Sequence, residues 1–167
     1  MLTVVIETHN DEEGLARTLS SLVPGSVEGV IREVIVHDRG STDHTATVAD
    51  HAGCRLVRDG DLASALQRAK GDWLLLLEPG ARLVEGWTEA AIMHMTDVAG
   101  PARFTRSRFH RMTLMGRLFG TARPLAEGLL IARRQATDLL GGPNLGSLRR
   151  VRARRLAAEI VPSPKRA

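Results

Sequence analysis

The sequence from 34 to 43 reads Val-Ile-Val-His-Asp-Arg-Gly-Ser-Thr-Asp, an apolar run that ends in a carboxylate, a glycine and further polar residues. A short β-branched run of this kind is typical of a strand buried in a parallel sheet. Gly40 lets the backbone turn after the strand, and Ser41 or Thr42 can cap a following helix. The stretch therefore predicts a strand, a turn and a helix, with Asp38 at the carboxyl end of the strand.

Apolar runs alternate with helical patterns through the first hundred residues. The predicted strands are Leu2–Ile6, Val30–Val36, Arg55–Val57 and Trp73–Leu77. Asn10 with Glu13 resembles a capping box that opens the first helix, and Pro24-Gly25 is expected to end it. Strands that alternate with helices at this spacing predict right-handed βαβ units and a doubly wound, mostly parallel α/β sheet.

Polar motifs follow three of these strands. They are His9-Asn10, Asp38-Arg39 and Glu78-Pro79. In open sheets of this kind, ligands bind beyond the carboxyl ends of the strands. The placement of the motifs therefore predicts a ligand crevice at that edge of the sheet.

The second part of the chain is rich in arginine. Residues 1–100 hold 8 Lys and Arg against 16 Asp and Glu, whereas residues 101–167 hold 15 against 3. Such asymmetry indicates an anionic partner, which could be a phosphorylated acceptor, a membrane surface, nucleic acid or another protein. A solvated basic surface neutralised by the acidic first part explains it equally well. The arginines of 149–155 lack stacking aromatic residues, so nucleic acid is disfavoured.

The element pattern beyond residue 84 is weaker. Helices are expected at Val84–Met95, across Phe109–Phe119, at Arg133–Leu140 and at Leu148–Ala158, with a strand at Leu129–Ile131. A single cysteine, Cys54, excludes an internal disulfide and suits a reducing compartment. The longest apolar run is far shorter than the roughly 20 residues of a membrane span, and the amino terminus lacks a signal-peptide pattern. We expect a cytoplasmic protein that could also be peripheral to the membrane.

The first two motifs together resemble a known family. Val4-Val5-Ile6-Glu7-Thr8-His9-Asn10-Asp11-Glu12-Glu13, followed by Asp38-Arg39-Gly40-Ser41-Thr42-Asp43, is similar to family 2 glycosyltransferases of the GT-A fold over roughly residues 1–95. The resemblance implies a GT-A-like, Rossmann-like sheet, shorter than in full-length transferases, that binds a nucleoside-diphosphate sugar. Asp38 would then hold the base, the turn of Thr8, His9 and Asn10 would line its face, and His9 would stack on it.

The sequence departs from the family at positions that carry chemistry. Glu7 replaces the usual proline, His9 the usual tyrosine, and Arg39 a second aspartate. Where the family places Asp-x-Asp for a divalent metal, Mn or Mg, this chain has Glu78-Pro79-Gly80. Glu78 alone is one candidate metal ligand, and a divalent cation is therefore doubtful. Glu-Pro-Gly is also an ordinary turn, which we favour here.

The family's late Glu-Asp pair, whose acid deprotonates the acceptor hydroxyl, is also missing. Residues 144–148, after Gly141-Gly142, contain no carboxylate. Residues 106–134 weakly resemble short bacterial members, and that likeness makes Glu127 the candidate catalytic base. A glutamate that forms salt bridges with the surrounding arginines is the alternative interpretation.

Two functional hypotheses remain. In the first, residues 1–98 bind a nucleoside-diphosphate sugar, residues 99–160 hold an anionic acceptor, the sugar passes to a hydroxyl group, and residues 161–167 form a flexible tail. In the second, the chain is a catalytically inactive protein of the glycosyltransferase fold that contacts a protein or membrane surface through its arginine-rich part.

Overall fold

The computed structural model describes residues 1–58, 62–97, 100–107, 125–140 and 145–164. The strands are β1 (Leu2–Thr8), β2 (Ile31–Asp38), β3 (Arg55–Val57), β4 (Trp73–Leu77), β5 (Arg82–Leu83), β6 (Ala102–Arg106), β7 (Leu129–Ala132) and β8 (Arg154–Val161). The helices are α1 (Glu12–Val27), α2 (Thr45–His51), α3 (Leu62–Gln67), α4 (Trp87–Asp97) and α5 (Arg133–Leu139), with a 3₁₀ turn at Leu148–Arg150. The expected helix across Phe109–Phe119 and the Gly141-Gly142 segment lie outside the described residues.

All eight strands belong to one sheet of order β3-β2-β1-β4-β7-β6-β8-β5. The first four strands are parallel, β7 is antiparallel to β4, and β6 and β8 are again parallel to each other. The mostly parallel α/β prediction is therefore confirmed. Because Leu76 of β4 pairs with Leu129 of β7, the strands of the acidic and basic parts share one sheet. The division of roles between residues 1–98 and 99–160 stays a prediction.

Apolar side chains cover both faces of the sheet. Because successive side chains of a strand point to opposite faces, Val4 and Ile6 of β1 pack with α1 and α4, whereas Val5 packs with α3 and α5. Gly25 allows the close contact of α1 with α4, since a Cβ there would lie 2.5 Å from Cζ2 of Trp87. Helices on both faces are the doubly wound arrangement that the sequence predicted. No helix among the described residues has the length and apolar character needed to cross a membrane.

The limits predicted for the first helix are wrong. Its cap is Asp11, whose Oδ1 accepts a hydrogen bond from the backbone N–H of Gly14 (3.0 Å). Asn10 lies outside the helix, with a φ of 49°. At the other end α1 continues through Pro24 to Val27. Proline removes one backbone N–H donor, but the last turn still packs on α4, where Gly25 lies against Trp87.

The basic helix predicted at Leu148–Ala158 is also wrong. Only a 3₁₀ turn forms, and the chain then enters β8. Leu156, Ala158 and Ile160 are buried on one face of that strand, which is the period of two that a strand requires. Val161 pairs with Arg82, so the segment expected to be a tail begins inside the strand.

Candidate functional site

The carboxyl ends of β1 and β2 place two polar side chains side by side. Thr8 and Asp38 are paired in register, and each is only 3% exposed. Within the described residues, Oγ1 of Thr8 has no hydrogen-bond partner. A buried hydroxyl without a hydrogen-bond partner carries a desolvation cost. A polar ligand group that bonded to Oγ1 of Thr8 would remove this cost, which favours binding at this edge.

A chain of hydrogen bonds joins the loops that follow these two strands. Oδ1 of Asp38 accepts from the backbone N–H of Ser41 (3.0 Å) and from the Ser41 hydroxyl. That hydroxyl accepts from the backbone N–H of Asn10 (2.9 Å), and Oδ1 of Asn10 accepts from the backbone N–H of Thr42 (2.7 Å). Ser41 and Thr42 thus hold the loop; the predicted helix cap is wrong, because α2 begins later, with His44 at its N-cap.

A second set of bonds fixes the start of α1 against the start of α2. The backbone N–H of Asp11 donates to Oγ1 of Thr45 (3.1 Å), and that of Glu12 donates to Oδ2 of Asp43 (3.3 Å). The backbone N–H of His44 donates to Oε2 of Glu12 (2.8 Å). Burial acts to raise the pKa of Asp43, but the hydrogen bonds from Thr45 and Glu12 outweigh it and lower that pKa. The two motifs therefore form one hydrogen-bonded wall at the carboxyl ends of β1 and β2.

His9 lies at the exposed rim of this wall. Its Nδ1 is 3.1 Å from the carbonyl oxygen of Arg39, and its Nε2 is 3.4 Å from Nδ2 of Asn10. The neutral tautomer with the proton on Nδ1 satisfies both contacts, since Nδ1 then donates and Nε2 accepts. Contacts at the two ring nitrogens therefore fix the orientation of the imidazole. Its proposed stacking on a base stays a prediction.

The Glu78-Pro79-Gly80 segment forms the predicted turn. The backbone N–H of Ala81 donates to the carbonyl of Glu78 (3.1 Å), and Gly80 has a φ of 90°. The N–H of Gly80 lies 2.8 Å from the carbonyl oxygen of Gly14 and 2.9 Å from Oγ1 of Thr18, both in α1. This turn is therefore held by backbone groups and a helix hydroxyl.

The residues of this turn do not fit a divalent metal ion. Hard cations prefer several oxygen ligands, and no group of three or more His, Cys, Asp or Glu side chains that could hold a metal occurs among the described residues. At the family's second carboxylate position, Gly80 offers no side chain. A Cβ there would lie 2.5 Å from Oγ of Ser163, so Ser163 occupies the space that a side chain would need.

A pocket of about 330 Å³ opens between the start of α1, the turn at Gly80 and the Ser163-Pro164 segment. Its charged lining is mainly acidic. The carboxylates are those of Asp11, Glu12, Glu13 and Asp43, against one arginine, Arg17. A diphosphate on this side of the turn would therefore meet like charge.

Glu127 precedes β7 and lies among arginines. Its Oε1 accepts from Nε of Arg106 (2.9 Å), and its Oε2 lies 2.7 Å from a guanidinium nitrogen of Arg155. Nearby, burial lowers the pKa of Arg103 in spite of Glu127, and the positive charge of Arg155 adds to the effect. The geometry matches the salt-bridge interpretation. The proposed role as catalytic base stays a prediction, and it would require one of these contacts to break.

Glu7 is a polar group that the sequence analysis did not place in the site. Its Oε1 accepts from a terminal nitrogen of Arg149 (3.0 Å), its Oε2 accepts from the backbone N–H of Leu145 (3.2 Å), and Nδ1 of His37 is 3.5 Å from Oε2. Burial acts to raise the pKa of Glu7, but His37, the Leu145 N–H and Arg149 outweigh it and lower that pKa. Two sequence signals marked it: a carboxylate within an apolar strand, and the replacement of the family's usual proline.

Comparison with known proteins identifies the family. The sequence profile described as Glycosyl transferase family 2 matches residues 3–99. A TPR repeat-containing protein of Synechococcus elongatus is 35% identical over 86 residues, which are 45% of this chain and 21% of that protein's length.

Solved structures of glucosyl-3-phosphoglycerate synthase from Mycobacterium tuberculosis have the same fold. The complex with Mn²⁺, UDP and glucosyl-3-phosphoglycerate has a TM-score of 0.67 at 19% identity and covers 99% of this chain and 73% of that one. A complex with Mn²⁺, UDP-glucose and phosphoglyceric acid has a TM-score of 0.62 at 22% identity, covering 88% and 61%. At this identity the likeness shows the fold alone. The GT-A-like prediction is confirmed.

Proposed function

The chain belongs to glycosyl transferase family 2, and we propose that it binds a nucleoside-diphosphate sugar in the crevice at the carboxyl ends of β1, β2 and β4. Asp38 accepts a hydrogen bond from the base, such as the imide N–H of uracil. The turn of Thr8, His9 and Asn10 lines the base. The sugar then passes to a hydroxyl group of an anionic acceptor on the arginine-rich side of the sheet.

The hydrogen-bonded wall formed by the two motifs carries this proposal. Asp38 receives two hydrogen bonds from Ser41, on one oxygen. A carboxylate has further lone pairs on both oxygens, so it can still accept from a base. Because the loops are already joined through Asn10, the site does not have to be ordered when the nucleotide binds, and preorganisation favours affinity.

Charge supports the anionic acceptor. Arg103, Arg106 and Arg155 surround the single carboxylate of Glu127, which leaves an excess of positive charge at β6 and β8. Relatives of the same fold have been solved with phosphoglyceric acid and with UDP-glucose. A phosphorylated or carboxylated acceptor is the class that such a surface would attract.

The alternative is a non-catalytic domain that keeps the nucleotide wall and uses its basic face for a protein or membrane contact. Two observations favour it. Both oxygens of Glu127 are engaged by guanidinium groups, and Gly80 stands where the family has its second metal carboxylate. Sugar transfer to any acceptor would exclude this alternative.

Isothermal titration with UDP tests the nucleotide site. We expect Asp38→Asn to lower the affinity for UDP by about tenfold or more, since an amide N–H₂ turned toward the base would face another donor, and one lost hydrogen bond to a charged group is worth about 1.5–3 kcal/mol. Asp50→Asn, in the exposed part of α2, is the matched control and should bind as the wild type does. If the wild-type chain binds no nucleotide, the proposal is wrong.

A further inference from the structure

The turn at Glu78-Pro79-Gly80 itself offers no cation and no pair of metal-binding carboxylates for the diphosphate of the proposed nucleotide. A diphosphate carries charge that must be neutralised in a partly desolvated crevice. On the α1 side of the turn the pocket is lined by carboxylates. A cation is therefore needed on the opposite side, a requirement that rests on the proposed function.

Arg149 supplies a cation at the correct edge of the sheet. Its guanidinium nitrogen is 3.0 Å from Oε1 of Glu7. Ile6 of β1 pairs with Leu77 of β4, and the two strands are parallel. The residues that follow them, Glu7 and Glu78, are therefore level with each other at the same edge of the sheet. The guanidinium thus lies over the carboxyl end of β1, one strand away from the turn that lacks its second carboxylate.

The surroundings of Arg149 leave part of its guanidinium for a ligand. The side chain is 41% exposed. Among the described residues, its guanidinium donates from one terminal nitrogen to Glu7, while a guanidinium has five N–H donors. The backbone is fixed as well, because Arg103 donates to the carbonyl oxygen of Arg149 (3.1 Å) and Leu145 donates to Glu7.

Four other arginines among the described residues of the basic part are less suited to this role. Arg106 and Arg155 are both engaged with Glu127. Arg152 and Arg154 are exposed at the approach to and the start of β8. Among these, Arg149 alone is tied directly to β1, next to the turn that would line the base.

We propose that Arg149, oriented by Glu7, binds the diphosphate group of the nucleotide and replaces the divalent cation used elsewhere in the family. Guanidinium suits this task, since its planar fork matches phosphate oxygens in a bidentate contact and it stays charged. Glu7 is a positioning residue, which acts through Arg149. Its carboxylate stands in the place of the family's usual proline and anchors the segment that lacks the family's late acid.

Titrations with UDP, uridine and pyrophosphate, all in excess EDTA, test the proposal. The wild-type chain should bind UDP at least about tenfold more tightly than uridine without metal, since a charge-assisted contact is worth about 1.5–3 kcal/mol. Arg149→Ala should lower the affinity for UDP to that for uridine, abolish pyrophosphate binding and leave uridine binding unchanged. Arg149→Lys should keep part of the preference for UDP over uridine, and Glu7→Gln should lose part of that preference. Arg152→Ala, an exposed control, should match the wild type.

Several results separate the proposed role of Arg149 from the proposed nucleotide site. Equal affinities for UDP and uridine in EDTA, with UDP tightened only by Mn²⁺, would overturn the role of Arg149 and leave the nucleotide site intact. Pyrophosphate binding that needs Arg149, with no uridine binding, would keep the anion site and reject the nucleotide. No binding of any probe would reject both. Urea midpoints identify a misfolded Arg149→Ala chain, in which case Arg149→Lys and Glu7→Gln decide through the UDP-to-uridine ratio.

Discussion

The two ends of the crevice are held together in different ways. At the end formed by β1 and β2, side chains make the bonds: Asp38, Ser41 and Asn10 join two loops through contacts between residues 31 and 32 positions apart in sequence. At the end formed by β4, the backbone N–H of Gly80 is bonded to α1, and Gly80 itself has no side chain. The first end has several polar side chains that could contact a ligand, whereas the second has the single carboxylate of Glu78.

This difference shows which chemistry a family fold can lose. A turn held through its backbone tolerates the loss of a metal-binding side chain, because the fold does not depend on that side chain. A loop pair held through side chains does not have this freedom, since each polar group is also a structural partner. The end proposed to bind the base is therefore the part whose polar side chains the fold itself retains.

Gly80→Asp, which restores a carboxylate at the second metal position, is the strongest test of this difference. We expect a loss of about 2–3 kcal/mol in the free energy of unfolding, since a left-handed φ costs about 1–2 kcal/mol and the new side chain overpacks against Ser163. Mn²⁺ affinity should not rise. Urea denaturation and Mn²⁺ titration measure the two effects.

Gly29→Asp is the matched control for that variant. Gly29 also has a positive φ, 71°, but nothing lies within 4 Å of the position that a Cβ would take there. The control therefore isolates the backbone cost, and Gly80→Asp should be the more damaging change. Tight Mn²⁺ binding by a stable Gly80→Asp chain would show that the turn had kept a metal site.

Glu7→Gln tests the link between the two ends and the arginine-rich part. The pKa of Glu7 in the folded chain is below its ordinary value of 4.5, so its stabilisation is complete above that pH and is lost as the pH falls through the lower, folded value. We expect the variant to be less stable at pH 7 by about 1.5–3 kcal/mol. The difference should shrink in acid.

Unfolding curves at several pH values measure this loss. Glu28→Gln, an exposed glutamate after α1, serves as the control and should follow the wild type throughout. A Glu7→Gln chain that remains less stable by a constant amount down to low pH would mean that the carboxylate charge is not what holds Arg149 and Leu145.

Ser41→Ala should have the smallest effect. It removes the acceptor for the N–H of Asn10 and one of the donors to Asp38, while the Ser41 N–H bond to Asp38 remains. We expect about 1 kcal/mol of destabilisation and a several-fold weaker affinity for UDP, because the wall becomes less ordered. Ser20→Ala, whose hydroxyl bonds within α1, should change neither quantity. Unaltered UDP affinity in Ser41→Ala would separate loop order from nucleotide binding.

Sequence alone determined the first half of the fold and the positions of Thr8, His9, Asn10, Asp38 and Glu78 at strand ends. The reason is local: β-branched runs, glycine turns and strand-helix alternation act over a few residues, and parallel strands bring their carboxyl ends to one edge. Arg55–Val57 and Trp73–Leu77 were predicted with their observed limits. The turn at Gly80 followed from the same short-range chemistry.

Tertiary structure decided what no local pattern contains. The sequence of Arg154–Val161 predicts part of a helix, whereas the structure has a strand there. Its alternation of buried and more exposed side chains depends on pairing with β6 and β5. Glu7 and Arg149 are 142 residues apart, and only the sheet, by placing β7 beside β4, brings them into contact. Local interactions thus specified the elements and the strand-end motifs, whereas the partners of the charged groups depended on long-range packing.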